Sequence, residues 1–364
     1  MSKILFHINS MGKGGAERVV SILSRYFAQD GNDVVVTTLW TAQEEYPLDE
    51  RVRRINVGIM PEEEKRGRVY KALVRMLRYR QAILKEKPDI VISFCANANF
   101  RSAYSLIGTK IPLLVSVRND PKKDYAPYPK KCRFMTKKAA GCVFQTPDAK
   151  MFFDEELQKK SRIIWNPLDE KYLSNQESQV IQRDKTIVTV GRITRQKNQM
   201  LLLRAFSRIC DEFPEYQLQI YGEAGSDGVK EELEVFCIEH KIVDRVSFMG
   251  ASSTLEKDMK NAGLFVLPSD YEGMPNALIE AMAIGLPCVA TDCPCGGSAL
   301  LMEQHGGILV PTGAEEELAE AMRKVLSDAE LANRIGIQAR GVVDSVNPQK
   351  IYQEWKDYVE TLIR

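Results

Sequence analysis

Histidine is scarce in this chain: His7, His240 and His305 are the only three among 364 residues. Cys293 and Cys295 stand close together but lack the spacing and the His partners of a zinc site. No Asp-x-Asp pair suited to Mg²⁺ occurs. No run approaches the ~20 apolar residues that cross a bilayer, which excludes a spanning helix. The opening MSKILFHINS lacks the basic n-region, long apolar core and small-residue cleavage site of a secretory signal. It reads as a first strand and predicts a cytoplasmic protein. Repeats of solenoid period and low-complexity tracts are missing. The G-x-G-x-x-G of dinucleotide folds does not follow the first strand, and the second β-rich stretch ends in Thr37-Thr38-Leu39-Trp40 without an acidic ribose ligand. Both absences count against an oxidoreductase.

What is present describes a globular protein of about two domains. Hydrophobic residues make up 44% and charged residues 27%, an ordinary balance for a folded soluble chain. The length exceeds what one core usually organises. The 8 cysteines read as free thiols rather than disulfides. The net charge of +1 conceals an asymmetry: residues 1–173 carry 31 Lys and Arg against 20 Asp and Glu, and the remainder carries 19 against 29. Halves of opposite sign point to domains with different partners.

Each half alternates strand and helix. Lys3–Ser10, Asp33–Trp40, Asp89–Cys95, Pro112–Arg118 and Gly141–Thr146 read as strands in the first half. Thr186–Arg192, Gln217–Gly222, Arg245–Gly250, Leu264–Ser269, Pro287–Asp292 and Gly307–Pro311 read as strands in the second. Continuous Val, Ile and Leu runs suit parallel strands covered on both faces, and helices between them imply right-handed crossovers. Trp165–Gln182, with Asn166-Pro167 and a polar stretch, reads as a hinge and linker. Pro348–Arg364 reads as a helix with Tyr352, Trp355, Tyr358 and Leu362 on one face. The expected fold is α/β, two doubly wound Rossmann-like domains facing across a cleft, with the chemistry in loops beyond the carboxyl ends of strands.

The strongest local feature is Asp270-Tyr-Glu-Gly-Met-Pro-Asn-Ala-Leu-Ile-Glu280, directly after a strand. Pro275 suits the first turn of a helix, whose free N–H groups and positive dipole end would attract an anion such as a diphosphate. Gly273 lets the backbone approach a ligand closely. Glu272 could accept from sugar hydroxyls, and Glu280, leaning back toward the helix start, from a ribose. On spacing alone an ordinary acidic helix start accounts for these residues equally well.

Glu272 and Glu280 form a Glu-x7-Glu motif inside EGMPNALIEAMAIGLPCVATD, and this resembles the signature of glycosyltransferase family 4, retaining enzymes of GT-B fold. The resemblance implies that Glu272 contacts the donor sugar and Glu280 the ribose, with Gly273, Met274, Pro275 and Asn276 along the sugar and phosphates. Gly191-Arg-Ile-Thr-Arg-Gln-Lys197 is similar to the family's G-R-x4-K, whose Arg192 and Lys197 would neutralise the diphosphate leaving group. Met11-Gly-Lys-Gly-Gly-Ala-Glu-Arg18 is similar to a Gly-rich loop that closes over the diphosphate, with Gly14 and Gly15 in the matching places. Two departures stand out. Many family members carry a His near the reacting sugar where Ser116-Val-Arg-Asn-Asp-Pro121 places Arg118, so Arg118 and Asn119 become active-site candidates. Gly222-Glu-Ala-Gly225 replaces the family's G-x-G.

The resemblance therefore implies residues 1–173 as an acceptor-binding domain, 174–347 as a nucleotide-sugar donor-binding domain, and 348–364 as a helix packing back on the first. It implies a UDP-hexosamine or UDP-hexose donor, a polyprenyl-diphosphate-linked glycan acceptor, and bacterial capsule, exopolysaccharide or lipopolysaccharide synthesis, with no metal and no cofactor. No strong nucleophile stands out, which fits a front-side route in which the departing phosphate takes the acceptor's proton. Basic residues with interleaved aromatics over Lys65–Lys87 and Arg118–Lys138 fit peripheral contact with an anionic membrane. The acidic second half and the lack of a reader motif count against nucleic acid as a partner. A nucleotide-sugar epimerase and a catalytically inactive donor-binding subunit are the competing readings.

Overall fold

The computed structural model describes residues 1–175 and 183–363. Residues 176–182, which hold much of the stretch read as a linker, lie outside the described residues. The chain forms two compact units, Met1–Pro167 with Asn347–Arg364, and Leu168–Val346.

The first unit is built on β1 (Lys3–His7), β2 (Asp33–Thr38), β3 (Arg53–Asn56), β4 (Ile90–Phe94), β5 (Leu113–Ser116), β6 (Gly141–Phe144) and β7 (Ser161–Ile163). They form one parallel sheet in the order β3-β2-β1-β4-β5-β6-β7. The edge strands β3 and β7 are short and polar, so their sequences carry no strand pattern. The central strands are apolar on both faces because both are covered. Ile4 and Phe6 pack with the helix Gly15–Gln29 and with Trp355, whereas Leu5 joins Tyr79 and Ile83 on the other face.

Pro348–Ile363 completes this unit. Asn347 caps it, its side-chain oxygen accepting from the amides of Gln349 at 3.0 Å and Lys350 at 3.3 Å. Trp355, fully buried, stacks on Phe94 with ring centroids 5.6 Å apart. The Tyr358 hydroxyl accepts from the Cys142 amide at 3.1 Å and donates to the Lys160 carbonyl at 2.5 Å. The helix thus satisfies backbone groups of β6 and of the residue before β7.

The second unit holds β8 (Asp184–Val190), β9 (Gln217–Tyr221), β10 (Val246–Gly250), β11 (Ala262–Leu267), β12 (Cys288–Asp292) and β13 (Ile308–Pro311). Their parallel order is β10-β9-β8-β11-β12-β13. In each sheet the strand order reverses once, between β1 and β4 and between β8 and β11. Loops leaving such a pair diverge to opposite faces and open the crevice where ligands bind in α/β sheets. All 8 cysteines are free thiols. No described helix is long and apolar enough to cross a membrane.

Candidate active site

The loops leaving β8 and β11 are laced together. The Asp270 amide donates to the Gln196 carbonyl at 2.9 Å, the Gln196 side chain donates to the Tyr271 carbonyl at 2.9 Å, and the Asn198 side chain donates to Asp270 Oδ1 at 2.7 Å. Asn198 takes the left-handed conformation, with φ of 45°, and its side-chain oxygen caps the helix Gln199–Ile209 through the Leu201 amide. This lacing brings Lys197 to Glu272. Lys197 Nζ donates to Glu272 Oε1 at 2.5 Å, and Ser269 Oγ donates to the same oxygen at 2.7 Å. Glu272 is only 6% exposed. Burying a carboxylate so far from water is costly unless charged and polar donors pair with it. The Arg192 guanidinium is exposed at the end of β8, with no protein partner among the described residues.

Two glycines permit close approach around these loops. A Cβ on Gly297 would lie 1.9 Å from the Gly273 carbonyl oxygen, so only glycine lets the loop after β12 support the Gly273 turn. A Cβ on Gly222, whose φ is +136°, would lie 2.0 Å from the Gly191 carbonyl oxygen. The Gly225 amide donates to the Ile193 carbonyl at 2.9 Å. The segment Gly222–Gly225, which departs from the family pattern, therefore still lies along the Gly191–Ile193 loop.

Pro275 precedes the helix rather than opening it. The helix spans Asn276–Ala283, and the Pro275 carbonyl accepts from the Leu278 amide at 3.1 Å and the Ile279 amide at 3.2 Å. Met274 is buried. Glu280, 4% exposed, accepts from the Tyr172 hydroxyl at 2.9 Å. Lys197, Glu272, Gly273, Pro275, Asn276 and Glu280 thus share the loops and first helical turns beyond β8 and β11, with Arg192 beside them. Among the described residues no group of three His, Cys, Asp or Glu side chains gathers as a metal-ligand set.

The candidates of the first unit lie on its own loops and strand ends. Gly14 precedes the helix Gly15–Gln29 in an extended conformation, its amide donating to the Gly12 carbonyl at 2.7 Å. A Cβ on Gly14 would lie 2.3 Å from a Glu17 carboxylate oxygen, which places that carboxylate at the helix start. Arg118 stacks over Phe94 at 5.3 Å and donates to Asn166 Oδ1 and, at 3.3 Å, to Ser116 Oγ. Burial lowers its pKa to about 10. The Asn119 side chain bonds Asp124, whose carboxyl is raised by burial and by the neighbouring Asp120.

His7, expected to be a packed core residue, is fully buried and stacked on Tyr79 at 3.9 Å. It also has polar work. Arg101 Nη1 donates to its Nε2 at 2.9 Å, and because a guanidinium only donates, the ring proton sits on Nδ1, facing Thr37 Oγ1 at 3.0 Å. Burial, reinforced by Arg101, pushes the imidazole well below its usual value of 6.5, so it stays neutral.

Sequence reasoning missed Ser269, Asn198, Tyr172, Gly297 and Arg101. The glycine pair Gly296-Gly297 after a strand was a readable sign of close backbone approach. Tyr172 lies in a stretch read as a linker, and nothing local marks its partner 108 residues away.

Comparison with known proteins agrees with this fold. Residues 13–172 match the family model described as Glycosyltransferase Family 4, and residues 173–342 the model described as Glycosyl transferases group 1. The chain is 24% identical over 363 residues to the Campylobacter jejuni GalNAc-α-(1→4)-GalNAc-α-(1→3)-diNAcBac-PP-undecaprenol α-1,4-N-acetyl-D-galactosaminyltransferase, covering 98% of this chain and 97% of that protein. It is 22% identical over 367 residues to the amylovoran biosynthesis glycosyltransferase AmsD of Erwinia amylovora, covering 98% and 99%. Anabaena HepE, solved in complex with UDP-glucose, superposes with a TM-score of 0.82 at 18% identity over 100% of both chains.

Proposed function

Because the chain belongs to glycosyltransferase family 4, with its GT-B fold, we propose that it is a retaining transferase moving a hexosamine or hexose from a UDP-sugar to a polyprenyl-diphosphate-linked glycan, in bacterial capsule, exopolysaccharide or lipopolysaccharide synthesis. The observation that carries this reading is the joining of Lys197 to Glu272 where the strand order of the second sheet reverses. A cation and a carboxylate meet there beside the exposed Arg192 and a helix start. That set suits a sugar linked to a diphosphate.

In this reading Arg192 and Lys197 stabilise charge that grows on the diphosphate as the glycosidic bond breaks. Glu272 accepts from donor-sugar hydroxyls. Glu280, oriented by Tyr172, accepts from the ribose. The acceptor hydroxyl attacks the anomeric carbon on the face the phosphate leaves. One C–O bond to phosphate breaks, one C–O bond to the acceptor forms, and the hydroxyl proton passes to the departing phosphate oxygen. The two cations and the amides beyond Pro275 take the place of a metal ion, and no cofactor takes part.

The named relatives support the acceptor class: the Campylobacter jejuni enzyme's name specifies a PP-undecaprenol-linked glycan. Membrane contact is supported by the helix Arg68–Glu86, which exposes Val69, Leu73, Leu77 and Leu84 along with several cations. Such a surface can rest on anionic lipid as a peripheral anchor.

The test is transfer from UDP-GlcNAc, UDP-GalNAc, UDP-Glc or UDP-Gal to a short-chain polyprenyl-diphosphate-linked sugar, with the product's anomeric configuration read by proton NMR. An α-linked product supports the reading. A β-linked product contradicts retention, and epimerised donor without transfer contradicts the transferase assignment.

A further inference from the structure

We propose that Arg101, steadied by His7 and Asn9 and backed by Arg75, forms an oxyanion site in the first unit that receives a phosphate group of the acceptor. The inference rests on the transferase reading for its occupant but on the first unit alone for its geometry.

The place comes first. Arg101 lies in the helix Ala96–Ser105, directly after β4, and its side chain reaches His7 at the end of β1 and Asn9 just beyond it. β1 and β4 are the pair where the first sheet reverses its strand order. This is the position at which open α/β sheets bind ligands, and the corresponding position of the second sheet holds Lys197 and Glu272.

The hydrogen bonding of the guanidinium comes next. Nη1 donates to His7 Nε2 at 2.9 Å and to Asn9 Oδ1 at 3.2 Å. Both hydrogens of that nitrogen are thereby used. The Nε and Nη2 hydrogens have no protein partner among the described residues, and they form the planar edge that grips two phosphate oxygens at once. The fixed ring of His7, stacked on Tyr79, and the Asn9 amide therefore aim an unused bidentate edge away from themselves.

Charge supplies the third argument. No carboxylate pairs with Arg101 among the described residues, although burial has brought its pKa down to about 10. Arg75 lies near enough for its charge to be felt there, and its own Nε is buried without a hydrogen-bond partner. Two cations brought together without an acid are costly unless an anion joins them. His7 can act as acceptor only while neutral, and its burial holds it neutral.

Phosphate could reach this site from the acceptor or from the nucleotide, and the experiment separates them. Inorganic pyrophosphate is titrated calorimetrically into the full chain, first alone and then with UDP saturating. Wild type is expected to bind pyrophosphate with UDP present. Arg101→Gln should weaken that binding at least about tenfold, the loss of a charge-assisted pair, and Arg101→Lys should give an intermediate loss. UDP affinity should stay unchanged in both variants. Elimination of all pyrophosphate binding by UDP would overturn the proposal, because the donor site alone would then take phosphate. Equal binding by wild type and Arg101→Gln would overturn it too. If Arg101→Gln unfolds, Asn9→Ala gives the same reading with the arginine in place. The UDP titration itself tests the donor assignment separately, so failure of either idea is recognisable.

Discussion

Lys197 and Glu272 meet at 2.5 Å although 75 residues separate them, and the contact joins the loops beyond two neighbouring strands. Its side chains are 21% and 8% exposed, so the pair is shielded rather than dissolved in water. Lys197→Ala removes the cation and leaves a buried carboxylate with Ser269 as its remaining side-chain donor among the described residues. Transfer should fall by about 10²–10³, the usual loss for one donor to developing negative charge. Lys197→Arg should recover part of it. Initial-rate kinetics at saturating donor measure this.

Tyr172→Phe deletes the hydroxyl that holds Glu280 Oε2. If Tyr172 orients the ribose carboxylate, the Kd for UDP should rise by about tenfold, the low end for one hydrogen bond to a charged group. kcat at saturating donor should change little. Calorimetric UDP binding and a KM-against-kcat comparison measure the split.

Gly297→Ala places a methyl where 1.9 Å separates it from the Gly273 carbonyl oxygen. The Gly273 turn must shift, and transfer should fall at least about tenfold, because small displacements of positioning groups are expensive. Far-UV circular dichroism should remain that of wild type, since the shift is local.

The extent to which this architecture can be read from sequence follows from where its energy lies. The interior strands were legible because Ile4-Leu5-Phe6 or Ile90-Val91-Ile92 must be buried on both faces. The edges β3 and β7 were not, because Arg53-Arg54 and Ser161-Arg162 are polar and lack the apolar run that marks a buried strand. Glu272, Glu280, Arg192 and Lys197 were legible as a spaced pattern. Their supports were not: Asn198 and Ser269 act through bonds to residues 72 and 3 positions away, and only the folded loops bring them together. Pro275 fell one place from its expected position because its carbonyl, rather than its ring, opens the helix.

His7 predicts a pH dependence. Its folded pKa lies well below the ordinary 6.5, so below pH 6.5 the unfolded chain binds a proton that the folded chain resists. Stability of the first unit should therefore hold above pH 6.5 and fall as pH drops below it, by up to ~1.4 kcal/mol per pH unit from this group. His7→Gln should flatten that slope between pH 6.5 and 5. Urea unfolding across the range measures it.

Trp355→Ala should destabilise the first unit by ~3–5 kcal/mol, the cost of a cavity left by a buried aromatic. Trp355→Phe should cost far less, because the indole N–H is already without a partner in its buried site. Denaturant midpoints of the two variants rank them.

The most direct test of the central claim is hydrolysis and binding across a panel of nucleotide sugars, for wild type beside Lys197→Ala and Glu280→Ala. The account predicts that one UDP-sugar binds and is slowly cleaved to UDP by wild type, and that both variants lose this. Binding of no UDP-sugar, or equal cleavage by all three proteins, would contradict the assignment of the donor site to the loops beyond β8 and β11.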